Sequence, residues 1–283
     1  MPEILITAPS VEPIDLAAAK LHLRLTEDSQ NSIVTSLLAG ARQAAETITR
    51  RQLVHARWQL TLDRFPMAGV GTPLPFENDV NIPGYAIRLP HSPCVRVESV
   101  KYMDMSGSLQ TVDPSVYTVN TSLMPAIITP RFGQIWPIAL PQIGAVTVTY
   151  TAGHASPIEV TNGTGNLKVR GPVTWAVNDV VRFYNSGGAL PSPLLAGRDY
   201  TVASVSGNTY TLTDEDGAAV VFSDTGTGTS YIGVVPDGIR NWMLMRLGSL
   251  YENREEVAIL NRGMVGELPF VEGLLDPYKT ALP

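Results

Sequence analysis

The chain has 283 residues, an apolar fraction of 44% and a formal net charge of −6, from 20 basic and 26 acidic residues. That apolar content supports a real core in one large or two ordinary domains and argues against wholesale disorder. The acidic balance argues against broad wrapping of nucleic acid, which needs basic surface to displace counterions. A lone cysteine, Cys94, excludes an intramolecular disulfide and a thiolate zinc cluster.

The first predicted element is a helix over 15–24, opened by Pro13 and the capping carboxylate of Asp15 and rich in Ala and Leu. A polar break at 26–30 precedes a second helix over 32–51. There Ile33, Leu37, Ala41, Ala44 and Ile48 recur at spacings of 4, 4, 3 and 4 and read as one buried stripe. At Trp58 the period changes to two: Trp58, Leu60 and Leu62 alternate with polar residues, as in a half-buried strand. A Gly/Pro-rich loop is expected over 67–83. Strands follow at 87–89, 95–103, 117–119, 126–129 and 145–151, with a hairpin turn at Ser106-Gly107 and an irregular stretch around Trp136 over 130–141.

From 156 to 235 Gly, Thr, Asn and Val dominate, and short strands are predicted at 173–175, 180–184, 199–205, 209–213 and 220–223. Their even spacing predicts a small barrel or sandwich inserted between hinges at Gly153 and Pro236. A third helix runs from Asp237, read as its cap, to about Arg254, with Ile239, Trp242, Met243, Leu247 and Leu250 on its buried stripe. The remaining segment, 261–283, is broken by Gly and Pro yet carries large apolar residues, a composition that fits docking on a partner. The expected fold class is therefore α+β. The N- and C-terminal helices (15–24, 32–51, 237–254) form a helical bundle, an antiparallel β region (57–151) lies between them, and a small all-β domain is inserted. The expected domains are 1–155 with 236–283, and 156–235.

The residues give enzymatic chemistry no foothold. His22, His55, His91 and His154 form no metal-ligand spacing, Asp214-Glu215-Asp216-Gly217 lacks the alternation of a calcium loop, and neither a nucleophile elbow nor a phosphate-binding fingerprint is present. No catalytic residue, cofactor or metal is expected. The N-terminus lacks the pattern of a secretory signal and no apolar run approaches the roughly 20 residues that span a bilayer, so a protein folded in the cytoplasm without membrane contact is expected. Two groups are candidate contact residues. Lys20, Arg24, Arg42, Arg50 and Arg51 form a charged helical face that can meet a neighbouring subunit. Tyr251, Arg254, Leu268, Phe270, Leu274, Leu275 and Tyr278 form an apolar, tail-borne surface.

Four segments carry a family resemblance. Residues 16–24 (LAAAKLHLR), 58–66 (WQLTLDRFP), 251–255 (YENRE), and 267–270 (ELPF) with 274–278 (LLDPY) resemble, in that order, motifs of tailed-bacteriophage head–tail connector (adaptor) proteins. The segment 156–235 departs from that pattern and is similar to a small β domain of phage structural proteins. The resemblance implies a non-enzymatic virion protein of the neck, assembled in the host cytoplasm. It implies a ring, twelvefold, fixed beneath the portal protein, extending the channel through which genomic DNA passes without specific binding. Below it would sit the next neck or tail protein, a stopper or tail terminator. In the other reading, the chain is a tail or baseplate module whose β domain stacks host glycans on Trp175, Tyr184, Tyr200 and Tyr210.

Overall fold

A computed structural model describes residues 3–9, 11–67, 83–171, 175–253 and 273–280. The chain divides into two compact units. One comprises Met1–Ala8, His55–Gly153 and Thr280–Pro283; the other comprises Pro9–Val54 and His154–Lys279. Gly153 ends a segment of the first unit at φ +141°, and a Cβ there would lie 2.6 Å from the His55 backbone, so the close approach requires glycine.

The first unit is built from two antiparallel sheets. Strands β1 (Glu3–Thr7), β2 (Ala56–Leu62), β4 (Cys94–Met103), β5 (Leu109–Thr111) and β8 (Val146–Ala152) form a five-stranded sheet in the order β1-β2-β8-β4-β5. Strands β3 (Ile87–Leu89), β6 (Tyr117–Asn120) and β7 (Ala126–Pro130) form the second, ordered β3-β7-β6. Leu60, Ile87, Leu89, Val100, Ile128, Val146, Val148 and Tyr150 fill their common core. Alternation places Leu60 inward from β2, as the period of two predicts. β1 has no counterpart in the sequence-based reading.

The second unit joins three helices to a barrel. Helices α1 (Leu16–His22), α2 (Asn31–Thr49) and α3 (Asp237–Glu252) pack against one another. Asp15 caps α1 by accepting from the Ala17 amide at 2.9 Å. At α3 the N-cap is Pro236, without a side-chain acceptor; Asp237 sits in the first turn and pairs with Arg240 instead. Strands β9 (Ala155–Val160), β10 (Leu167–Val169), β11 (Val180–Val181), β12 (Phe183–Ser186), β13 (Tyr200–Ser206), β14 (Thr209–Thr213) and β15 (Thr229–Gly233) form one sheet in the order β11-β13-β14-β10-β9-β15-β12. Its two edge strands are consecutive in the chain, separated only by Arg182, so the sheet curls back on itself into a nearly closed barrel. Phe183, Tyr210, Leu212, Phe222, Leu167 and Val202 pack its interior. The predicted strand 220–223 is irregular chain that still bonds the barrel, its Phe222 amide donating to the Thr164 carbonyl at 2.8 Å. Of the predicted strand 173–175, only Trp175 is among the described residues, and it lies outside any strand.

The expected helical bundle is overturned. The protein is mostly β, with three α-helices of 7, 19 and 16 residues among the described residues. The reason is the amount of surface the helices can enclose. α1 spans under two turns, because the chain leaves it at Arg24 with φ 57°. The helices therefore share one hydrophobic cluster with residues of the β region: Ala155, Tyr184, Tyr231 and Val235 pack with Ile14, Leu38, Trp242, Met243 and Leu247. The buried stripe of α2 is also rotated by one residue from expectation. Val34, Leu38, Ala41, Ala45 and Thr49 are buried, whereas Ile33 and Ile48 are exposed.

Candidate functional site

The candidate charged face does most of its bonding within its own chain. Arg42 reaches back from α2 to Glu12 (Nε to Oε2, 2.7 Å) and along the helix to Glu46 (Nη1 to Oε2, 2.6 Å). The other Glu46 oxygen accepts from Gln52 Nε2 at 2.7 Å and from the Leu53 amide at 3.0 Å. Burial disfavours both charges, but its effect differs between them. On Arg42 the two carboxylates outweigh it and hold the guanidinium ionised. On Glu46 burial outweighs the single guanidinium and raises the carboxyl. Together these groups form an internal hydrogen-bonded network at the exit of α2.

Lys20 pairs with Asp28 at 2.6 Å. Arg51 donates from Nε to the Tyr278 carbonyl at 2.6 Å, with its guanidinium carbon 5.9 Å from the centre of that ring. Arg24 and Arg50, which terminate α1 and α2 in the left-handed conformation, are exposed and have no ion pair among the described residues. Exposed Leu21 on α1 and exposed Ile33 and Ile48 on α2 add an apolar component to the helical surface.

The described part of the tail folds onto its own subunit. Leu275 is buried in the helical cluster, and Leu274 and Tyr278 pack against it half-buried. Tyr251 does the same from α3, its hydroxyl donating to Gln30 Oε1 at 2.6 Å. Arg254, Leu268 and Phe270 lie outside the described residues, as do residues 68–82 of the predicted Gly/Pro-rich loop. Tyr184, Tyr200 and Tyr210 are buried, and Trp175 packs against the barrel core, so these rings offer little stacking face to a sugar. Among the described residues, no group of three or more His, Cys, Asp and Glu is placed to hold a metal ion, and no helix is long and apolar enough to cross a membrane.

One surface escaped the sequence-based reading. The loop from Arg131 to Ala145 in the first unit leaves Phe132 fully exposed and Ile135, Ile138 and Ile143 82%, 70% and 92% exposed. Its backbone is nevertheless tied down. Trp136 is buried, stacks on Phe65 with ring centroids 5.0 Å apart, and donates from Nε1 to the Tyr85 carbonyl at 2.8 Å. The Leu140 amide donates to the Met103 carbonyl at 2.8 Å, and the Gly144 amide to Asp63 Oδ1 at 2.8 Å. The available signal was composition, since residues 132–145 contain no charged side chain.

No protein-family model matches the chain, and no curated protein does either. Among solved structures, the fold is similar to a chain in the neck of an empty gene transfer agent (GTA) particle computed with C6 symmetry. The match covers 100% of this chain and 97% of that one, with a TM-score of 0.56 at 15% identity. A chain in the virion of a native GTA particle matches over the same shares, with a TM-score of 0.55 at 15% identity. The chain thus shares its fold with chains of gene transfer agent particles.

Proposed function

We propose that this chain is a structural, non-enzymatic subunit of a phage-like virion neck: a head–tail connector that forms a ring between the portal protein and the next neck or tail protein. The observation that carries this reading is the end-to-end likeness to a chain in a GTA neck, which leaves no large segment of this protein unmatched. Two features of the molecule support it. The Arg131–Ala145 loop presents exposed apolar side chains on a hydrogen-bonded backbone, which suits permanent assembly. The net charge of −6 disfavours adhesion of DNA passing through such a ring. The C6 symmetry of the neighbour's neck agrees with a cyclic array, and the connector resemblance of the terminal segments makes twelve copies the expected number. Cyclic arrays close by heterologous contacts between two different patches on each subunit.

Native mass spectrometry of the chain mixed with portal protein tests the reading. The expected outcome is a complex with a fixed number of copies on each portal ring. A chain that never associates with portal, at any ratio or salt concentration, overturns it.

A further inference from the structure

The five-stranded sheet of the first unit has two open edges of unusual composition. At one edge β1 pairs, among the described residues, with β2 alone, and its consecutive residues Ile4, Leu5 and Ile6 are all exposed. A strand exposed on both faces and along one edge is a liability in a free protein unless something covers it. At the opposite edge β5 carries exposed Leu109, and the β4–β5 hairpin tip carries exposed Met105. The Arg131–Ala145 loop is tied to that hairpin through the Leu140–Met103 bond, and the Met103 amide donates back to the Ala145 carbonyl at 2.8 Å. Met105 and Leu109 therefore adjoin the loop that carries Phe132, Ile135, Ile138 and Ile143.

Both structures at this end are held by internal hydrogen bonds. Asp104 closes the hairpin tip by accepting from the Ser106 and Ser108 amides at 2.9 and 3.0 Å and from Gln110 at 2.8 Å. The loop is held by Trp136, Leu140 and Gly144 as described above. The apolar side chains cannot fold inward without breaking those bonds, so they are presented ready for contact. Aromatic side chains bury about 150–250 Å² each and aliphatic ones less, so six such residues come to roughly 600–800 Å². That is close to the ~800 Å² that one partner contributes to a standard stable interface, and above the apolar patch of most monomers, about 300–600 Å².

The geometry points to a self-interface: the apolar cap formed by the hairpin tip and the Phe132–Ile143 loop of one copy seats against the β1 edge of the next copy. The occupant is a second copy because the chain itself carries two apolar patches, of different shape, at opposite edges of one sheet. That is the arrangement a head-to-tail ring requires and a two-fold dimer does not. The absence of charge in the loop matches the uncharged run Ile4–Leu5–Ile6. This inference rests on the ring reading above and names its surfaces.

Cysteine pairing tests it. Native Cys94 is buried and its thiol is pushed up to about 12, mainly by burial, so it stays silent under mild oxidation. Two single variants, Ile135→Cys and Leu5→Cys, are mixed at high concentration and oxidised. The mixed dimer is expected to exceed either homodimer several-fold, and the double variant to give a ladder of oligomers. Phe132→Asp with Ile138→Asp should reduce cross-linking at least tenfold without lowering the melting temperature, because both side chains are exposed. Dominant homodimers, or a chain that stays monomeric and uncross-linked while portal protein alone shields the cap from labelling, overturn the self-interface. Because portal association is read separately, failure of the interface and failure of the neck reading are distinguishable.

Discussion

Tyr184 and Tyr231 stack face to face on neighbouring barrel strands, ring centroids 4.6 Å apart and planes within 7°, and both donate their hydroxyls to the segment that leads into α1. Tyr231 donates to the Glu12 carbonyl at 2.5 Å and Tyr184 to the Pro13 carbonyl at 3.3 Å. Two residues on, the Asp15 amide donates to Ser186 Oγ at 2.8 Å, and Asp15 Oδ1 accepts from Thr229 at 2.7 Å. The helix cap and the barrel are thus one bonded structure within the second unit. Gly187 lets Asp15 approach: at φ +81°, a Cβ there would lie 2.5 Å from the carboxylate.

Tyr231→Phe keeps the stacked ring and removes only the hydroxyl. It strands a carbonyl in a partly buried site, and the expected loss is about 1–3 kcal/mol of unfolding free energy. Denaturant unfolding measures it. The far-UV spectrum should not change, and the loss should be smaller for Tyr184→Phe, whose bond is longer.

Arg42→Leu leaves Glu46 and Glu12 facing each other without their shared cation. Breaking such a buried arrangement from one side costs about 3 kcal/mol or more. The effect should appear in the melting temperature of the isolated chain, before any assembly. An Arg42 variant with wild-type stability but defective ring formation would instead assign this residue to a subunit contact.

His154 carries a buried Nε2 without a hydrogen-bond partner, and burial, assisted by the nearby Arg51 guanidinium, lowers its pKa from 6.5 to about 4. Between those values the unfolded chain binds more protons than the folded one, so stability rises with pH there. The stabilisation is fully present above pH 6.5 and is lost as pH falls toward 4. A shift of this size corresponds to at most about 3 kcal/mol. Melting temperatures recorded across that range should fall more steeply for the natural chain than for His154→Gln.

Trp136→Ala removes the anchor of the exposed apolar loop. Deleting a buried Trp costs about 3–5 kcal/mol, and here the Tyr85 carbonyl also loses its donor. Hydrogen exchange should rise across 131–145 by much more than across β2 and β8. A loop that stays protected would show that its order comes from the Leu140 and Gly144 bonds alone.

Local chemistry in the sequence determined a good deal. The alternation from Trp58 to Leu62 is β2, the Asp15 cap opens α1, Ile239, Trp242, Met243 and Leu247 face inward from α3, and the Ser106-Gly107 turn closes the β4–β5 hairpin. Each of these depends on residues within a few positions of one another. Only the tertiary structure decided which of two adjacent apolar stripes α2 buries, that β1 exists, that the barrel closes through 180–186, and that Phe132, Ile135, Ile138 and Ile143 face outward. Periodicity reports a helix or strand and its alternating faces, but the face that is buried depends on a partner surface supplied from far along the chain. Val34 and Leu38 are inside because α3 arrives some two hundred residues later, and in the apolar loop it is Trp136 that turns inward, because Phe65 and the Tyr85 carbonyl, both far back along the chain, receive its ring and its N–H.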